Sequence, residues 1–169
     1  METTKSLSHS RPVLSQTKNN TTLWIGHLQT DFHDHLGGQT FSCPVTGKLD
    51  NIQVYSTAVY HPGEMKLTLH EFDPRTKTWG PAIGKSSLYM QKSFEARWIS
   101  YSLPSVFLQK EMNYGFRLQA VDALIAIGEA VHGTNDPFTF GQEWKGETGN
   151  DKGHFFTYFS MAFKVEMVA

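Results

Sequence analysis

Cysteine is almost missing: Cys43 stands alone in 169 residues. One thiol cannot close an intramolecular disulfide, and it excludes every cysteine-rich zinc site. An excess of charge of either sign is missing too. Fifteen Lys and Arg face 16 Asp and Glu, for a net charge of −1, which argues against a chain built to neutralise nucleic-acid phosphates. No run approaches the roughly 18 apolar residues of a membrane-spanning helix. A secretory leader needs about 7–15 apolar residues after a basic start, and none is legible near Met1, so a cytoplasmic chain is the default expectation. Catalytic signatures are lacking as well. There is no Gly-x-Ser-x-Gly, and the glycine-rich stretch from Gly146 to Gly153 lacks the Gly-Lys-Ser/Thr ending of a phosphate loop. Glu71, Asp73, Glu129, Glu143 and Asp151 supply carboxylates, but any sequence of this length offers as many, and nothing singles out two that would face each other across a cleft, as glycoside hydrolysis requires. The expectation is a non-enzyme with no catalytic residue, no cofactor and no bound metal.

Aromatics are plentiful: 12 Phe, 6 Tyr and 4 Trp, alongside 14 Gly and only 18 % charged residues. That balance favours sheets and turns. Residues 1–22 hold no aromatic side chain and little that is apolar, so they are expected to form a flexible tail, or an arm lying on the domain, with little regular structure, ahead of a domain at 23–169. Within the domain, short apolar alternations are punctuated by Gly, Pro, Asn and Asp every 8–12 residues or so. The run from Phe155 to Met167 alternates with a period of two and reads as one strand. Met65-Leu67-Leu69 and Tyr114-Phe116-Leu118-Ala120 alternate likewise, as does Ile52-Val54 with Tyr55 and Thr57 outward. Tyr60 to Glu64 reads as a hairpin turn, and Asp73-Pro74 opens a second connection. Leu124 to Val131 is apolar on both parities. Gly128 and the β-branched Ile125 and Ile127 favour a strand covered on both faces over a helix. About nine or ten strands with no fixed-period repeat predict an all-β, two-sheet antiparallel β-sandwich of jelly-roll type. Phe159, Phe163, Leu67, Leu69, Phe116 and Leu118 should be buried together.

Two groups of residues invite a chemical reading. His27, His33 and His35 cluster, and two imidazoles two residues apart resemble the opening of a cupin metal site. The Glu such a site needs downstream is missing after His35, so polar residues on a rim explain the histidines better. Cys43 reads as a small buried hydrophobe rather than a nucleophile. Trp79 and Trp144 sit among turn residues, where a flat ring can serve the C–H face of a sugar or cap the open end of a sandwich. Tyr60 and Tyr89 are further platform candidates, whereas Trp98 reads as core.

The series Gln39-Thr40-Phe41, Gly47-Lys48-Leu49, Ile52-Gln53-Val54, Gly63 and Leu67-Thr68-Leu69 continues into Tyr114-Gly115-Phe116-Arg117-Leu118 and Gly141-Gln142-Glu143-Trp144. From Gln39 to Val165 it resembles the jelly-roll modules, similar to carbohydrate-binding modules, of bacterial secreted and surface proteins. The resemblance implies a non-catalytic binding module for a carbohydrate or glycan-like ligand. Candidate contacts are Trp79, Trp144, Tyr60, Tyr89, His33 and His35, and the resembled modules are mostly exported. Two other readings stand beside it: an assembly subunit that contacts copies of itself through a sheet face or the arm, and a metal-dependent, cupin-like enzyme built on His33 and His35. The expected partners are a carbohydrate and a second copy of the chain, without nucleic acid and without a membrane span.

Overall fold

The computed structural model describes residues 9–169, so the first part of the expected arm lies outside the described residues. The described residues are nearly all β, with one 3-10 turn at Lys92–Phe94, and the strands join in a large, curled antiparallel sheet. Following the hydrogen bonds across it, the order is β1 (Ser10–Gln16), β14 (Phe163–Val168), β4 (Gly47–His61), β10 (Leu124–Val131) and β2 (Thr21–Gly26). It continues through β3 (His35–Ser42), β9 (Asn113–Ala120) and β5 (Gly63–Asp73) to β6 (Thr78–Met90). Four strands and a hairpin partner lie off this path. β7 (Arg97–Ser102) and β8 (Phe107–Leu108) pair with β4, β13 (Phe159–Met161) pairs with β10, and β11 (Glu143–Glu147) joins β3 and carries β12 (Asn150–Phe156). No helix is long and apolar enough to cross a membrane among the described residues.

Alternation makes one face of these strands apolar, and the sheet curls to enclose it. Met65, Leu67 and Leu69 of β5 meet Phe116 and Leu118 of β9, Ile52 and Val54 of β4, and Phe163 and Val165 of β14, all without solvent exposure. Phe163 spans the enclosure, with its ring 6.2 Å from Phe41 and 5.8 Å from Phe116. Tyr101 of β7 donates its hydroxyl to the Met65 carbonyl at 3.1 Å, and burial pushes that phenol up well beyond its ordinary range. As its doubly apolar text predicts, β10 is buried along nearly all its length, between β2 and β4. Each fully buried Leu, Ile or Phe contributes about 1.5–3 kcal/mol.

Several expectations are corrected. Where it is described the arm lies on the domain, but with regular structure where little was expected: residues 10–16 form β1, an edge strand registered on β14 from Ser10–Val168 to Gln16–Phe163. Leu14 reaches the core, and the Gln16 amide donates to the Met161 carbonyl at 3.2 Å. An edge strand draws its order from ladder hydrogen bonds, which apolar content does not report. The Phe155–Met167 run is not one strand but the end of β12, then β13 and β14, because the chain changes partner from β11 to β10 to β4. Phe159 is consequently half-buried rather than core. The Tyr60–Glu64 turn is a corner, not a hairpin: β4 and β5 share no ladder, and Gly63 pairs with Met90. A Cβ on Gly63 would come within 2.7 Å of the Ala123 Cβ, so this corner needs glycine. Trp98 lies on the parity opposite Ile99 and Tyr101. It packs half-buried against Tyr55, with the Lys164 ammonium 4.2 Å above its ring. By contrast, the Asp73 turn closes a true hairpin, the Asp73 carboxylate accepting the Arg75 and Thr76 amides.

Deleting residues 1–16 removes β1, and with it the burial of Leu14 and the bonds of Gln16. The melting temperature should fall by about 5 °C or more in a thermal scan. An unchanged midpoint would show that β1 is dispensable to the sheet.

Candidate functional site

The side chains of β5 and β9 that point away from the core build a surface of a different kind. Register places Lys85 of β6 opposite Thr68 of β5, and Thr68 opposite Arg117 of β9. The same row continues through Gly38 of β3 and Trp144 of β11 to Phe155 of β12. One step to one side lie His70 and Gly115. One step to the other lie Ser87, Lys66 and Gln119.

Arg117 is the centre of this face. Its guanidinium lies 4.3 Å from the Trp79 ring centroid and 4.2 Å from that of Trp144. The two indoles meet edge to face at 5.6 Å, and Phe155 stacks over Trp79 at 6.3 Å with an interplanar angle of 21°. Each such cation–π contact contributes roughly 0.5–2 kcal/mol, so the two together anchor the side chain against the indoles. The glycines beneath make room. A Cβ on Gly115 would sit 2.6 Å from Trp79, and one on Gly146 would sit 2.4 Å from Trp144. The Trp144 indole N–H is satisfied by the Lys152 carbonyl at 3.0 Å.

Beside the stack, His70 Nδ1 lies 2.8 Å from the Gly80 carbonyl and Nε2 lies 2.8 Å from the Thr68 hydroxyl. Burial lowers the His70 pKa, the Gly80 bond partly opposes this, and Arg117 adds to the lowering. A neutral imidazole therefore donates from Nδ1 and accepts from Thr68. Two hollows open on either side of the Arg117–His70 pair. The smaller, about 280 Å³, is walled by Leu36, Lys66, Thr68, Gln119 and Thr148. The larger, about 700 Å³, is walled by Thr76, Lys77, Trp79, Lys152 and Phe155.

The residues singled out from sequence are only partly brought together here. Trp79 and Trp144 are strand residues, not loop residues. Trp79 is half-buried at the edge of the larger hollow, whereas Trp144 is 0 % exposed and offers no platform. Turn-like neighbours misled the reading, because β11 pairs with both β3 and β12 across its glycines. Tyr89, 61 % exposed, shares the outward face of β6 with Lys85 but stands beyond the hollows, opposite Glu64. Tyr60, at the end of β4, lies apart, edge-on to Trp24 at 5.1 Å. His33 is exposed in the bend before β3, while His35 opens β3 with Nε2 2.6 Å from the Asp31 carboxylate. His27 instead faces Asp34 at 3.0 Å. Among the described residues, no three His, Cys, Asp or Glu side chains converge as a metal-holding group. Cys43 is buried, its thiol donating to the Val45 carbonyl, and burial raises its pKa.

The sequence reading missed Arg117 and His70. Both occupy the polar parity of otherwise apolar strands, which was the available signal. It also missed a buried acid pair on the opposite face of β11. Glu143 and Glu129 are 0 % and 1 % exposed, and the Lys145 ammonium sits 3.0 Å from Glu129 and 3.8 Å from Glu143. Lys145 also lies 4.3 Å above the Phe159 ring. Burial first, then the neighbouring Glu129 carboxylate, raise the Glu143 pKa against the pull of Lys145. Glu143 therefore keeps its proton at neutral pH, and the cluster is electrically balanced as one acid plus one ion pair.

Two outcomes follow. Trp144→Ala should destabilise the fold by about 3–5 kcal/mol in denaturant titrations, the cost of emptying a large buried aromatic site, rather than simply weaken a ligand. For Glu143, folded and unfolded states both hold the proton below the ordinary carboxyl value of 4.5. As pH rises above that value, the unfolded chain ionises freely while the fold keeps the acid neutral, so this contribution to stability declines. Glu143→Gln should flatten that decline, and its gain in melting temperature over the parent should be larger at pH 9 than at pH 5. An equal effect at both pH values would contradict a neutral Glu143.

No protein-family model matches this chain and no curated protein matches it.

Proposed function

We propose that this chain is a non-catalytic carbohydrate-binding module, with the cleft around Arg117 and His70 as its binding surface. The curl of the sheet is read as a two-layer jelly roll. One wall is β6-β5-β9-β3-β11, facing β1-β14-β4-β7, and Phe163 bridges them through Phe41 and Phe116. The observation that carries the functional reading is the guanidinium packed against two indoles in the lining of an open cleft. The stack gives the cleft a preformed wall of aromatic surface beside polar side chains, the mixture that a sugar ring presents in return. Around it, Thr68, Gln119 and Thr148 supply hydroxyl and amide groups, while the edges of Trp79 and Phe155 offer apolar surface to C–H groups. The buried Glu129–Glu143 pair is closed over by Lys145 and lies on the other face of β11, so it is not positioned to cleave what the cleft holds.

Isothermal titration against a panel of oligosaccharides tests this. For a saccharide that binds, Gln119→Ala should weaken the complex by about 2- to 12-fold, one neutral hydrogen bond. Arg117→Lys, which keeps the charge but loses the flat fork, should weaken it by about tenfold or more. Binding that is indifferent to both substitutions would place the site elsewhere.

A further inference from the structure

The lining of the cleft is uneven in charge. Lys66 and Lys85 project from the face beside Arg117, and Lys77 and Lys152 edge the larger hollow. All four lysines are exposed, and none is in an ion pair among the described residues. No described carboxylate lines either hollow. The chain as a whole carries one more acid than base, so this cationic strip is a local departure from the average surface. Acids stand at the margins: Asp73 is tied into its own turn by the Arg75 and Thr76 amides at the rim of the larger hollow, and past Lys66 Glu64 and Asp122 line the adjoining hollow, where Glu64 accepts the Ser87 hydroxyl at 2.6 Å. A negatively charged ligand is therefore favoured between Lys66 and Lys152 and disfavoured beyond Lys66.

The strip also argues for the kind of anion. Lys85, Thr68 and Arg117 lie in one row, so cations alternate with a hydroxyl, and Lys85 and Arg117 are two strand spacings, about 10 Å, apart. That pattern serves a chain whose charges are separated by neutral, hydroxyl-bearing segments. Single-stranded nucleic acid would need open rings on which bases could stack. Here Trp144 is buried, and Trp79 lies between Arg117 and Phe155.

We infer that the ligand is an acidic saccharide, one bearing carboxylate or sulfate groups, seated along the cationic strip from Lys66 past Arg117 to Lys152. This rests on the carbohydrate reading above and narrows it to one chemical class. The full chain is titrated with polygalacturonate oligomers and a heparin oligosaccharide. Neutral xylan and galactan oligomers, inorganic polyphosphate and single-stranded DNA serve as comparisons, each at 0.05 and 0.5 M NaCl. At least one acidic oligosaccharide should bind more tightly than either neutral one, and should weaken about tenfold or more at the higher salt, where screening shortens the reach of the strip. The double variant Lys66→Gln/Lys85→Gln should lose about tenfold in affinity at low salt with an unchanged melting temperature, since both side chains are exposed. Neutral oligomers binding as tightly as acidic ones, without salt dependence, would overturn this inference and leave the carbohydrate reading standing. So would a double variant that binds acidic oligomers as the parent does. Polyphosphate or DNA binding as tightly as the acidic saccharide would overturn it in favour of capture by charge alone. Failure to bind any saccharide would overturn both readings.

Discussion

Phe163 ties together parts of the sheet that the ladder order keeps far apart. It belongs to β14, hydrogen-bonded between β1 and β4, yet its ring meets Phe41 of β3 and Phe116 of β9. Those contacts exist only if the sheet curls until its far strands face each other. The apolar parity of β5, β9, β4 and β14 supplies the reason to curl, because each strand has one face that water solvates poorly. Tyr101 reinforces the closure with a hydrogen bond from β7 to β5. With the interior filled in this way, the opposite parity of β5 and β9 has nowhere to point but outward.

That outward face is governed by Arg117. A guanidinium packed against two indoles is an interaction among three strands, β9, β6 and β11, and it covers aromatic surface while keeping a polar group on this face. The glycines at 115 and 146 are part of the same device, because the rings occupy the volume that side chains there would fill. The stack thus makes the face rigid while leaving hollows on both sides of Arg117 and His70. The contacts that stabilise the β6–β9–β11 region therefore also set the shape of the hollows beside it.

The Glu129–Glu143–Lys145 cluster shows the other way in which this fold handles polar groups. It lies on the opposite face of β11, where neither acid reaches solvent. One acid remains neutral and the other is matched by a lysine whose ammonium also lies over the Phe159 ring, so no net charge is buried. Trp144 and Glu143 are adjacent in sequence and serve opposite faces. This is the period of two at work in a segment that its turn-like neighbours disguised.

Much of the architecture was legible in the residues. Alternation in Met65–Leu69 and Tyr114–Ala120, the doubly apolar text of Leu124–Val131 and the Asp73-Pro74 turn all act over a few residues, and the structure keeps them. Parity is a local property, so local text can carry it. Register and partner choice are not local. The sequence could not show that Ser10–Gln16 would borrow hydrogen bonds from β14, or that the Phe155–Met167 run would change partner twice. Nor could it show that Trp79, Arg117 and Trp144, spread over 66 positions, would become a single stack. The residues of the cleft were present as outward-facing polar positions on three strands. Only the antiparallel register of β6, β5, β9, β3 and β11 laid them side by side, because distance across a sheet is set by which strands pair and not by how far apart they stand in the chain.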